Sequence, residues 1–117
     1  MKLAIVGSRH YNNYEEFKQY VLLAIKEWDK NVDLIISGGA DGVDSLAERF
    51  ASEHGIPTLI FKPEWSKYGR AAGPIRNLLI ISSSTHVIAF PATTSTGTYD
   101  SIKQAQTQKK TLKIINI

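Results

Sequence analysis

Five short apolar runs, separated by four stretches with helical spacing, constrain this chain more than any other feature. The runs are Leu3–Val6, Leu34–Ser37, Thr58–Phe61, Val87–Phe90 and Leu112–Ile115. Their hydrophobicity is continuous rather than alternating, the pattern of strands covered on both faces in a parallel sheet. Between them, Phe17, Val21, Leu22, Ile25 and Trp28 form one helical stripe, and Val43, Leu46, Ala47, Phe50 and Ala51 form a second. A third helix opens at Gly73-Pro74, where a proline's missing donor costs nothing. It runs through Ile75, Leu78 and Leu79 into the Ser82–Thr85 run, where it ends. A fourth begins near Thr98 and carries Ile102 and Ala105. Strict strand–helix alternation predicts βαβ units with right-handed crossovers. The expected fold is therefore α/β: a single Rossmann-like three-layer domain over residues 1–117, with a five-stranded, mainly parallel sheet. The one long irregular segment, Lys62–Gly73, holds Trp65, Tyr68 and Arg70 and is a candidate binding loop.

Composition removes several function classes. A chain of 117 residues buries enough surface for its own core. It has no apolar run near the ~18–20 residues of a membrane span, and its amino terminus reads directly into a strand, so no membrane partner and a cytoplasmic location are expected. The absence of cysteine excludes disulfides, thiolate metal sites and cysteine nucleophiles. His10, His54 and His86 are scattered without metal-ligand spacing, so neither metal nor cofactor is expected. The net charge of +3 is modest, and Lys103, Lys109, Lys110 and Lys113 read as a solvated helix face and its end. Nucleic-acid binders carry a denser basic stripe, so the charge argues against nucleic acid and suits a small polyanion.

In open α/β sheets, ligands sit beyond the carboxyl ends of the strands, where the strand order reverses. That rule selects Gly7-Ser8-Arg9 after the first run, Ser37-Gly38-Gly39 through Asp44 after the second, and the Trp65 loop after the third. After the fourth it selects Phe90 through Thr96-Gly97-Thr98. Glycine lets backbone approach a phosphate, and a helix amino terminus offers unpaired N–H groups. The backbone amides of Gly38-Gly39 and Gly97-Thr98 are thus candidate phosphate holders. Arg9, Arg70 and Arg76 offer planar bidentate anion contacts, and Trp65 or Tyr68 a stacking surface for a base. Asp44 or Asn77 would bond ribose hydroxyls; Asp44 also lies in the first turn of its helix, where a carboxylate is favoured for structural reasons alone. Trp28, on a helical stripe, reads as core. Two standard phosphate motifs are absent: there is no Gly-x-x-x-x-Gly-Lys-Ser/Thr loop, and the first turn lacks the later glycines of a dinucleotide fingerprint. A Gly-x-Ser-x-Gly nucleophile elbow is also missing.

The order Gly-Ser-Arg (7–9), Ser-Gly-Gly-Ala-x-Gly-Val-Asp (37–44), Leu-Ala-Glu (46–48), Gly-Ile-Pro (55–57), Glu-Trp (64–65), Gly-Arg-x-Ala-Gly-Pro-Ile-Arg-Asn (69–77) and Ala-Phe-Pro…Gly-Thr (89–98) resembles the YspA-like branch of the SLOG superfamily. That superfamily includes the LOG phosphoribohydrolases, the DNA-uptake protein DprA and molybdenum-cofactor carriers. The resemblance implies a Rossmann-like fold that binds nucleotides or their derivatives. LOG enzymes carry Pro-Gly-Gly-x-Gly-Thr-x-x-Glu, with the Glu at the reaction centre. Here the matching position is Ser101, and the nearest carboxylate, Asp100, is one residue away, ~100° of rotation on a helix. Arg76 matches the substrate-pairing arginine of those enzymes.

The sequence therefore points to a holder of a nucleotide-derived molecule, such as a cyclic nucleotide or an ADP-ribose derivative, without turnover. By the same resemblance, small members occur in bacteria and phages, and a phage sponge for an immune nucleotide signal is one role that needs no catalytic carboxylate. The alternative is a phosphoribohydrolase-type enzyme using Asp100 or Asp44. The resemblance also implies a homo-oligomer paired through helices beside the pocket; Leu78, Leu79 and Ile81 belong either to such an interface or to the core.

Overall fold

The computed structural model describes residues 1–117. Five strands, β1 (Lys2–Gly7), β2 (Leu34–Ser37), β3 (Thr58–Ile60), β4 (His86–Phe90) and β5 (Thr111–Ile114), pair in parallel in the order β3-β2-β1-β4-β5. The helices are α1 (Tyr14–Trp28), α2 (Val43–Glu53), α3 (Trp65–Tyr68), α4 (Ala72–Ser83) and α5 (Thr96–Thr107). Alternate residues of β1 feed two separate cores. Leu3 and Ile5 pack with Phe17, Val21, Phe50 and Phe90 under α1 and α2, whereas Ala4 and Val6 pack with Ile80, Ile81 and Ile102 under α4 and α5. The three-layer arrangement thus follows from a central strand that is apolar on both faces.

Continuous hydrophobicity marks burial on both faces for β1, β2 and β4, but not for β3 and β5. Leu59 and Ile114 are exposed because each lies on an edge strand with one hydrogen-bonded neighbour instead of two. Lys113 belongs to β5, not to a helix end, and pairs with Glu27 of α1. Trp28 is half-buried, with its ring 4.9 Å from that of His86.

Two helical readings shift. In α1 the buried stripe is Tyr14, Phe17, Val21 and Ala24, and Leu22 faces outward. In α4 the covered face is Ala72, Asn77, Ile80 and Ile81, so Ile81 is core while Leu78 and Leu79 are exposed. A helix with apolar residues all round offers two possible stripes, and only packing against the sheet selects one. The segment expected to be irregular instead holds α3 and a 3₁₀ turn at Gly69–Ala71, leading directly into α4 at Ala72. Pro74 is the third residue of α4, still within the first turn, where the N–H that proline lacks would have no partner within the helix.

The strand order fixes where a site can lie. From β1 the chain moves outward through β2 to β3, then returns to the other side of β1 for β4 and β5. The connections after β1 and β4 therefore diverge and leave a crevice between them.

Candidate functional site

The crevice is real. A cavity of about 350 Å³ is lined by Gly7, Ser8, Arg9 and His10 after β1, by Thr94 through Thr98 at the start of α5, and by Ala40, Asp44, Arg76 and Asn77. Val6, Ile80 and Ser101 complete its floor and sides. An adjoining cavity of about 410 Å³ is lined by Gly38 to Asp41, Lys62, Pro63 and Trp65, and shares Arg9, Ala40 and Arg76 with the first. The two arginines therefore stand where the two cavities meet.

Arg76 is held from two sides. Its Nε donates to Asn77 Oδ1 at 3.0 Å, and its Nη1 donates to the Gly38 carbonyl at 3.0 Å. Two of five N–H donors are thereby engaged, and the rest are available to a ligand. Burial pushes its pKa down, Asp44 pushes it back up, and Arg9 lowers it again. The last effect reflects two like charges facing one space, an arrangement an anion relieves.

Asn77 shapes this geometry. Its Nδ2 donates to the Gly97 carbonyl at 3.3 Å and to Asp100 Oδ2 at 3.1 Å. With both amide hydrogens engaged and Oδ1 accepting from Arg76, the side chain ties α4 to the first turn of α5. Asp100 is thus directed at Asn77 and does not line the cavity, whereas Ser101, one residue on, does. Ser101 Oγ donates to the Gly97 carbonyl at 3.3 Å.

Asp44 is buried, and its Oδ2 accepts the Ala40 N–H at 3.1 Å. Desolvation raises its pKa, opposed by that hydrogen bond and by Arg76. It caps the turn before α2 rather than the helix itself, whose N-cap is Gly42 with no side-chain bond. Gly42 has φ +70°, and a Cβ there would collide with the Ser8 carbonyl oxygen and the Arg9 backbone. This glycine lets the β1 and β2 connections touch, and the Val43 N–H donates to the Ser8 carbonyl at 3.0 Å.

The two helix amino termini are consequently not equivalent. Both helices have their first N–H engaged, Val43 by the Ser8 carbonyl and Thr96 by the Thr94 carbonyl, but at α5 the next two N–H groups, without a protein acceptor, belong to Gly97 and Thr98, which line the first cavity. Those free donors, with the helix dipole behind them, border the first cavity. Gly38 and Gly39, also expected to hold phosphate, line the second cavity, and the Gly38 carbonyl fastens Arg76.

Four expected residues stand apart. Phe90 is fully buried against Phe17 and Tyr11; only its carbonyl serves the site, accepting the Ser8 N–H at 3.0 Å. Ser37 is fully buried, and Tyr68 and Arg70 line neither cavity, because α3 and the 3₁₀ turn carry them past the crevice. Trp65, from the same loop, does reach the second cavity. Sequence reading missed Val6, His10 and Ile80, and selected Ala40, Lys62, Thr94 and Ser95 only as parts of their loops. Val6 and His10 flank the selected Gly7-Ser8-Arg9, and Ile80 is one helical turn beyond Arg76.

Known proteins share this architecture. The Gene 61 protein of Mycobacterium phage D29 is 29% identical over 89 residues, which take in 71% of this chain and 70% of that protein. DNA processing protein A from Helicobacter pylori, described with its single-stranded DNA binding mode, superposes with a TM-score of 0.65 and 25% identity over 97% of this chain and 64% of its own. This chain thus spans somewhat under two thirds of that protein. The structural-genomics target TM1055 superposes with a TM-score of 0.67 over 95% of this chain and 71% of its own, and at 19% identity it speaks to the fold alone.

The expectation that nucleic acid is not a partner is overturned by the Helicobacter pylori neighbour, a single-stranded DNA binder that matches nearly the whole chain. Net charge sums the whole surface, whereas Arg9, Lys62 and Arg76 gather at one cleft. Nor does this likeness support a sponge for a free signal. The model of the YspA, cpYpsA-related SLOG family matches residues 1–68, more than half of the sequence, and the chain belongs to that family.

Proposed function

We propose that this protein binds nucleotides through a phosphate in the first cavity and holds them without cleaving them. The observation that carries this reading is Arg76, locked by Gly38 and Asn77 with free donors beside the open amino terminus of α5. Arg9 adds a second cation, and Ser8, Thr96 and Thr98 add hydroxyls. The chemistry for cleavage is poorly served. Asp44 is the one carboxylate lining the cavity, and it already accepts from Ala40, while Asp100 is bonded to Asn77.

Titration calorimetry with thymidine monophosphate, thymidine and the Arg76→Ala variant tests this. The nucleotide binds, and the nucleoside is at least ~10-fold weaker, because charge-assisted hydrogen bonds contribute ~1.5–3 kcal/mol each. Arg76→Ala loses a similar amount, and chromatography after long incubation recovers intact nucleotide. Equal affinity for nucleoside and nucleotide, or free base released at turnover, sinks the reading. A second reading, that the phosphate belongs to a single strand, is favoured by the Helicobacter pylori neighbour and by cations continuing past the first cavity to Lys62.

A further inference from the structure

The first cavity accounts for one phosphate, but the cleft does not end there. The second cavity, of about 410 Å³, opens from the same pair of arginines, and each cavity alone is near the lower end of the ~300–1,000 Å³ of small-molecule sites. We infer that the cleft takes two consecutive nucleotides of a single strand, one phosphate at the α5 amino terminus, the linking phosphate between Arg9 and Arg76, and the second base on Trp65. This rests on the phosphate reading of the first cavity.

Three features distinguish the second cavity from incidental surface. The Trp65 indole is 55% exposed and lies beside Gly73 of α4, at ordinary van der Waals distance from where a Cβ there would stand. An aromatic plane held open to solvent is a ready stacking surface for any base. Lys62 is folded against the backbone of Gly39, where a Cβ would come within 3.2 Å of its Cγ and Cε, so its stem is placed along the cavity edge. Asp41 lines the same cavity, and its carboxylate opposes a phosphate but accepts from a base N–H. The linking phosphate therefore belongs at the arginines, and the base belongs beyond them. A cationic track with an aromatic platform is how single strands are bound without regard to sequence.

Calorimetry compares thymidine monophosphate with the 5′-phosphorylated thymidine dinucleotide, on the unaltered protein and on Trp65→Ala, Trp65→Phe and Lys62→Ala. The dinucleotide binds about 10- to 100-fold more tightly, the gain one stacked base supplies. Trp65→Ala erases that gain and leaves the mononucleotide unchanged, Trp65→Phe keeps most of it, and Lys62→Ala weakens only the dinucleotide. Equal affinity for both ligands, unmoved by Trp65→Ala, overturns the two-nucleotide cleft while leaving the phosphate reading intact. Binding of neither ligand overturns both. ADP-ribose binding as tightly as the dinucleotide, with the same loss in Trp65→Ala, overturns the strand assignment in favour of a free two-part nucleotide.

Discussion

Arg76 owes its role to its neighbours. Asn77, beside it in sequence, accepts from its Nε and donates across to α5, so Asn77 sets the direction of Arg76. Asn77→Ala leaves the Arg76 Nε and Asp100 Oδ2 without their partner, and is expected to lower stability by ~1–3 kcal/mol in urea melts. Nucleotide affinity falls with it, which calorimetry at a temperature where the variant is folded will read.

Asp44 gives a pH signature at the same scale. Burial raises its native pKa above that of the unfolded chain. Between those two values the native state binds more protons, so stability falls as pH rises through the window, and above it the full cost of the buried charge is present. Asp44→Asn carries no such cost. Its stability relative to the unaltered protein should climb as pH rises from the ordinary aspartate range, then level off. A difference flat with pH in urea melts would show that desolvation does not govern this carboxyl.

At the scale of elements, the contact between the β1 and β2 connections depends on Gly42. Gly42→Ala combines a disallowed φ with a backbone collision, and should cost at least ~2 kcal/mol, since strain and overpacking each contribute ~1–3. Gly55→Ala is the control: φ is also positive, at +65°, but a Cβ there meets nothing within 4 Å, so only ~1–2 kcal/mol of left-handed strain applies. Thermal melts of both variants separate close approach from conformation alone. The start of α5 allows the opposite separation. A Cβ on Gly97 meets nothing within 4 Å, and an acid in a first helical turn is favourable by ~0.3–1 kcal/mol. Gly97→Asp should therefore keep or slightly raise the melting temperature while strongly weakening phosphate binding by charge repulsion.

Across the whole molecule, the net charge of +3 conceals the gathering of Arg9, Lys62 and Arg76 at one cleft. Neutralising phosphates of a single strand makes log affinity fall with log salt by ~0.7 per phosphate, so two phosphates in the cleft give a slope of about −1.4. Lengthening the oligonucleotide beyond the cleft should barely steepen it. A slope that keeps growing with length would place the contacts on the outer surface instead.

The sequence by itself determined the layers of this protein and the edge of the sheet where a ligand sits. Five apolar runs alternating with helical stripes admit few arrangements other than a doubly covered parallel sheet, and glycines collected after the strands name the edge. Leu3 and Ile5 against Ala4 and Val6 show why: strand period assigns faces without any knowledge of neighbours. What lay beyond the sequence depended on neighbours far along the chain. Leu78 and Leu79 have the same local pattern as Ile80 and Ile81, and only docking against the sheet decided which pair is covered. Tyr68 and Trp65 share one short helix, yet only Trp65, at its start, lines the cleft. Likewise, Gly38 and Gly97 read as equal phosphate cradles until the fold put Gly97 in the first cavity and Gly38 in the second, with its carbonyl accepting from Arg76. Local spacing specifies which groups reach a sheet edge; which of them keep a free donor there is decided by hydrogen bonds between segments that meet only in the folded chain.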